Sequence, residues 1–194
     1  MSVLIPQSQQ RLMRWKNGGG MTCEIQRFPQ DSSLDSFDWR VSVATVQQAN
    51  EFSLFPGVDR SLAILEGKGI LLDVAGELGV EQRELTPRDP VYRFDGETAI
   101  HCTLIGGGIV DFNVMTRRAA FTHTLEQLTI TRPTVLSATG DTALVYVVNG
   151  NCQLANETKV HAGDAVLFRD ADEERLLISD AAELMLVQLY RQPH

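Results

Sequence analysis

The sequence predicts an all-β protein made of two related, barrel-like halves, and three observations carry that prediction. Short strand-like runs recur along the whole chain, separated by Gly, Pro, Asn and Asp, as in sandwiches and barrels. No window of eleven or more residues carries the i, i+3, i+4, i+7 stripe of an amphipathic helix. Finally, one unit occurs twice. An apolar run, 61–65, ends at Gly67, leaves as a second run and meets an Asp-bearing turn at Asp89; the run 143–148 ends at Gly150 and meets Asp164 in the same way.

Strands are expected at 22–28, 39–47, 61–65, 69–74, 91–94, 99–104 and 111–116, then at 121–131, 143–148, 151–154, 165–168, 176–178 and 184–190. Short turns are expected at 8–15 and 34–37. The spacing from Leu65 to Asp89 is 24 and from Val148 to Asp164 is 16, so the first copy carries eight extra residues. Gly76 and Gly79, set between apolar runs, favour a hairpin there and are the expected place for the insertion. A repeat of roughly 80 residues used twice is too long and too few for a solenoid. The halves divide as 1–116, including an N-terminal Gly-rich segment, and 117–194. Nothing Gly/Ser-rich or Pro-rich joins them, so one tightly packed body is expected.

Composition excludes more than it identifies. A hydrophobic content of 43% with 22% charged residues is that of an ordinary globular chain. With 17 basic against 25 acidic residues, the net charge of -8 disfavours a nucleic-acid partner. No segment approaches the ~20 apolar residues of a membrane span and the N-terminus lacks signal-peptide character, so no membrane and a cytoplasmic location are expected. Cys23, Cys102 and Cys152 have no CxxC spacing, and the last two sit in apolar strand contexts. His101, His123, His161 and His194 show no HxH, HxxxH or HExxH spacing, so no metal is expected.

Three clusters carry the polar candidates. In Trp15-Lys16-Asn17-Gly18-Gly19-Gly20-Met21-Thr22-Cys23-Glu24 the glycines let a ligand approach the backbone, and alternation puts Thr22 and Glu24 on one strand face. Arg40 and Arg60 both enter apolar strands, where a guanidinium requires a partner. For Arg60 that partner is Asp59, Glu24 or Asp111, or else a ligand carboxylate. On 111–116, Asp111, Asn113 and Met115 share one face, costly if inward and unpartnered. No nucleophile elbow or Cys/His pair gives a positive signal for catalysis.

Taken together, Trp15-x-Asn17-Gly18-Gly19-Gly20-x-Thr22-x-Glu24-Ile25, Asp38-Trp39-Arg40-x-Ser42-x-Ala44, Phe52-Ser53-x-Phe55-Pro56-Gly57-x-Asp59-Arg60, Gly67-x-Gly69 and Asp111-Phe112-Asn113-x-Met115-x-Arg117-Arg118 resemble the HutD/Ves family, which is associated with bacterial histidine utilisation. The resemblance covers nearly the whole chain. It implies a bicupin, two cupin-like β-barrels from an internal duplication. Cupins hold a metal through an HxH pair, a Glu and a later His. Counted back from Gly67, the Glu position falls at Arg60 and the HxH region at 53–56; counted from Gly150 they fall at Ala143 and 136–138. None of these is His or Glu, so both metal centres are read as lost, with no cofactor.

The resulting expectation is a metal-free regulatory protein that binds a small anionic metabolite of histidine catabolism, with urocanate and formylglutamate as candidates. Asn17, Glu24, Arg40, Arg60 and Asn113 are the expected ligand-binding residues, in the first half. A homodimer is expected. Two alternatives stand beside it: a metal-independent isomerase or hydrolase with Glu24 as general base and Arg60 as electrostatic stabiliser, and a protein-interaction module.

Overall fold

The computed structural model describes residues 2–137, 139–169, 175–178 and 180–193. Its strands open with β1 (Ser2–Ile5), one 3-10 turn (Gln7–Gln9), β2 (Arg11–Arg14), β3 (Gly20–Phe28), β4 (Trp39–Val46) and β5 (Asn50–Glu51). There follow β6 (Val58–Glu66), β7 (Ile70–Gly76), β8 (Gly79–Leu85), β9 (Tyr92–Asp95), β10 (Ile100–Leu104) and β11 (Ile109–Arg117). The later strands are β12 (Phe121–Ile130), β13 (Thr134–Ser137), β14 (Thr142–Asn149), β15 (Asn151–Leu154), β16 (Lys159–His161), β17 (Ala165–Arg169), β18 (Arg175–Ile178) and β19 (Ala182–Arg191). No helix among the described residues is long and apolar enough to cross a membrane.

Two compact units result: Arg11–Ala120, and Met1–Gln10 together with Phe121–His194. Against a sequence boundary at 116/117, the division thus falls just after Ala120. The first ten residues go with the later unit because β1 pairs antiparallel with β17, Leu4 opposite Val166. In the earlier unit a six-stranded sheet runs β2-β3-β4-β11-β6-β9 and a four-stranded sheet runs β5-β10-β7-β8. In the later unit the orders are β1-β17-β14-β19-β12 and β13-β18-β15-β16.

The duplication is complete at the level of topology. Renaming β4 through β11 as β12 through β19 converts the order β4-β11-β6-β9 into β12-β19-β14-β17, and β5-β10-β7-β8 into β13-β18-β15-β16. Even the irregularities repeat. The β6–β11 ladder skips Leu65, and the β14–β19 ladder skips the equivalent Val148. Each copy then turns on a glycine in the left-handed region, Gly67 (φ +100°) and Gly150 (φ +88°), against which the β10–β11 or β18–β19 connection packs. A Cβ on Gly67 would lie 2.8 Å from the Gly108 carbonyl oxygen, and on Gly150 2.6 Å from that of Ala181, so only glycine fits either turn. The Asp turns correspond too: Asp89 Oδ2 accepts the Thr86 N–H and Asp164 Oδ2 accepts the His161 N–H.

The insertion is shared between two places. Most of it lengthens the β7–β8 hairpin, 70–85, relative to β15–β16, 151–161, and part of the rest lengthens the β6–β7 turn, 67–69, whose counterpart is Gly150 alone. The stretch 8–15, read as a turn, is instead a 3-10 turn followed by β2, because pairing with β3 overrides a weak local pattern. Strands β1, β5, β8, β13 and β16 are likewise absent from the sequence expectation; each is short or mostly polar, and β1, although apolar at Val3, Leu4 and Ile5, spans only four residues.

Each unit has its own apolar core. Leu62, Ile64, Ile70, Leu72, Ile100, Cys102 and Ile109 fill the earlier one, and Val145, Val147, Leu154, Val166, Phe168, Leu176 and Leu184 the later one. The difference lies in what replaces part of that core. Buried Glu24, Arg40, Ser42, Arg60, Asp111 and Asn113 all belong to the earlier unit.

Candidate functional site

Register alone brings the polar residues together. On β11, Asp111, Asn113 and Met115 alternate onto one face, with Ala44, Ser42 and Arg40 of β4 opposite them on one side and Ile64, Leu62 and Arg60 of β6 on the other. Arg40, Met115 and Arg60 therefore form one row across three strands, and Ser42, Asn113 and Leu62 the next. This face lines a cavity of about 820 Å³, which is also lined by the β2–β3 turn and by residues of the segment 50–55.

Glu24 reaches the site through a bulge. The β3–β4 ladder skips Ile25, so Glu24 opposite Ser42 and Arg27 opposite Arg40 fall on the same face. Arg40 Nε then donates to Glu24 Oε2 at 2.6 Å, and Arg27 Nε lies 3.4 Å from Glu24 Oε1. Glu24 is buried, holds two guanidinium groups and does not line the cavity. Arg40 does line it, with Nη1 3.9 Å from the Met115 sulfur.

Arg60 is the unusual member. It is 7% exposed, and among the described residues it makes no ion pair. Of its three alternative protein partners, Asp59 pairs with Arg118 at 2.8 Å and Glu24 with Arg40, leaving Asp111 as the nearby countercharge. Arg60 Nη1 donates to the Ser53 carbonyl at 3.2 Å, while Nε has no partner. The guanidinium carbon lies 4.8 Å from the ring centre of Phe94, 5.2 Å from that of Phe52 and 5.7 Å from that of Phe55, an aromatic collar that suits a cation taken out of water. Burial pulls the guanidinium down to about 10, opposed by Asp111 and reinforced by Arg40, so it stays charged at neutral pH. Burial pushes the Asp111 carboxyl up to about 7, with Arg60 acting against that rise. Asn113 Oδ1 is also buried without a partner, as is Asn50 Oδ1.

Asn17 lines the cavity from the β2–β3 turn, but its Oδ1 is engaged in accepting the Gly19 N–H at 3.0 Å. The turn is a built structure. Trp15 Nε1 donates to Thr22 Oγ1 at 2.8 Å, and its ring covers Gly20, where a Cβ would lie 2.9 Å from it. Cys23, between Thr22 and Glu24, does not line the cavity, and burial raises its thiol. Four of the five expected residues thus line one cavity, and the fifth anchors Arg40 from behind. Sequence reasoning passed over Phe94 and Asn50, which sit in short strands with no motif to mark them.

The donor set does not fit a metal cation. The position corresponding to a cupin Glu holds Arg60, the HxH region holds its carbonyl and aromatic partners, and Arg40 adds a second cation. No group of three or more His, Cys, Asp or Glu converges among the described residues. In the later unit the equivalent Ala143 lies inside the apolar core with Leu136 packed on it; Ala138 and His194 lie outside the described residues.

Fold and site together define the class: a bicupin with one polar, cationic cavity and one apolar barrel. The family follows, because the HutD profile matches residues 7–186, and the chain belongs to the HutD family. The chain is 43% identical over 103 residues to an uncharacterised Pseudomonas putida protein of the hutC 3′ region, an alignment spanning about half of each chain (53% and 52%). It is 31% identical to the protein Ves of Citrobacter koseri over 90% of this chain and 87% of that one. Among solved structures, HutD from Pseudomonas fluorescens SBW25, in a formate condition, superposes with a TM-score of 0.83 at 27% identity over 100% of both chains. A bacterial pirin from Escherichia coli in complex with nickel(II), 12% identical with a TM-score of 0.66 over 100% and 99%, shares the fold.

Proposed function

We propose that the protein is a cytoplasmic, metal-free receptor for a small carboxylate metabolite and that it modulates histidine utilisation without performing chemistry. The observation that carries this reading is the unpartnered Nε of Arg60, a buried cation facing a cavity whose other orphaned atoms are the acceptors Asn113 Oδ1 and Asn50 Oδ1. A carboxylate completes the guanidinium, and a donor elsewhere on the same ligand would complete the amide oxygens. Urocanate offers an imidazole N–H beside its carboxylate and formylglutamate an amide N–H. Both fit that demand, and the hutC-region name of the Pseudomonas putida relative supports the pathway.

An enzymatic reading survives in altered form. Glu24, held by two guanidinium groups and outside the cavity, is poorly placed as a general base, whereas Asp111 lines the cavity and titrates near neutrality. Incubation with each metabolite followed by product analysis separates the two: unchanged ligand supports the receptor, turnover the enzyme.

The direct test is binding. A ligand present at 100 times its dissociation constant stabilises the fold by about 2.7 kcal/mol, visible as a rise in melting temperature. Arg60→Ala, shown to be folded by circular dichroism, should bind about tenfold or more weakly, the loss of one charge-assisted bond. If neither metabolite shifts the melting temperature, or if the folded variant binds as tightly as the parent, the receptor reading fails.

A further inference from the structure

The strand β8 is the outer strand of its sheet and is exposed at six successive positions, 79–84, as no other outer strand among the described residues is. Short outer strands discourage edge-to-edge pairing, and the equivalent β16, at three residues, keeps that protection. The insertion removes it from the first copy, leaving a seven-residue edge that carries the exposed Val80 and is preceded by the fully exposed Leu78.

The direction of its free backbone groups follows from β7. The Ala75 N–H donates to the Ala99 carbonyl at 3.0 Å, away from β8, so Ala75 and Val80 are a non-hydrogen-bonded pair. Alternation then turns the N–H and C=O groups of Val80, Gln82 and Glu84 toward the open edge. An antiparallel partner must present its own outward residues opposite these. For a second copy of this chain, the two-fold registers that pair at least two of these residues are the three centred on residue 81, 82 or 83. Centring on Glu81 or on Arg83 sets like charges face to face. Centring on Gln82 sets Glu81 against Arg83 of the other copy, twice, in the non-hydrogen-bonded pairs where side chains come closest.

We propose that the protein forms a two-fold homodimer through β8, joining two four-stranded sheets into one of eight, with Gln82 on the axis and reciprocal Glu81–Arg83 pairs fixing the register. The edge is self-complementary in hydrogen bonding and in charge, which is what an isologous interface requires. Being small, it gives a weak, concentration-dependent association. It is independent of what the cavity binds.

Sedimentation equilibrium of the full chain from about 1 µM to 1 mM tests it. The parent should dimerise, and Glu81→Arg, which places Arg opposite Arg83, should weaken dimerisation about tenfold or more. Arg83→Glu should do the same, although it also loses the contact of Arg83 with the Tyr92 ring, 4.9 Å away. The double reversal should restore the parent constant, and an equimolar mixture of the two single variants should form a heterodimer that neither forms alone. A parent that stays monomeric at 1 mM, or single reversals without effect, would overturn the interface. Dissociated single variants that the double reversal fails to rescue would overturn the register.

Discussion

Replacing Asp111 by Asn keeps the shape of the residue and removes its charge, and the structure says how the consequence depends on pH. The carboxyl titrates at about 7 in the fold against an ordinary 3.8, chiefly because it is buried, with Arg60 opposing. Between these values the folded protein holds a proton that the unfolded chain has released. A raised carboxyl therefore leaves stability fully present below pH 3.8 and removes it progressively as pH rises through about 7. At 1.36 kcal/mol per pH unit the whole effect is about 4 kcal/mol, of which about 3 kcal/mol falls between pH 5 and pH 8. The other shifted groups nearby, Arg60 at about 10 and Cys102 at about 12, titrate outside that window. Urea denaturation of parent and Asp111→Asn at pH 5 and pH 8 isolates the term. Relative to the parent, the variant should be about 3 kcal/mol better at pH 8 than at pH 5, whatever its offset from losing the countercharge of Arg60. A relative stability that moves by less than about 1 kcal/mol between the two pH values would refute the buried, titrating Asp111.

Glu24→Gln leaves Arg40 without its buried countercharge and should cost about 3 kcal/mol, read as a lower denaturation midpoint with an unchanged m-value. Gly67→Ala and Gly150→Ala should each destabilise by about 1–3 kcal/mol by thermal unfolding, since both glycines adopt a left-handed φ against a neighbouring carbonyl oxygen; equal costs would express the equivalence of the two turns. Elemental analysis of dialysed protein should find far less than one transition metal per chain, and a stoichiometric, dialysis-resistant metal would contradict the reading of the Arg60 position.

The sequence by itself determined the all-β class, the duplication and most of the strands around the cavity. Those features are written locally: alternation of side chains has a period of two, and turns at Gly67, Gly150, Asp89 and Asp164 are made by residues next to one another in the chain. It also brought forward Arg40, Arg60 and Asn113, because polar residues inside apolar runs are conspicuous. It left the partner of Arg60 open among Asp59, Glu24, Asp111 and a ligand carboxylate, and only tertiary structure commits Asp59 to Arg118 and Glu24 to Arg40. Which carboxylate meets which guanidinium depends on the register between β3, β4, β11 and β6, and a single bulge at Ile25 sets Arg27 beside Glu24. The polar edge β8 and the aromatic collar contributed by Phe94 were hidden for the same reason. A ladder between strands distant in sequence is fixed by hydrogen bonds and core packing summed over the whole sheet, and no local pattern encodes it.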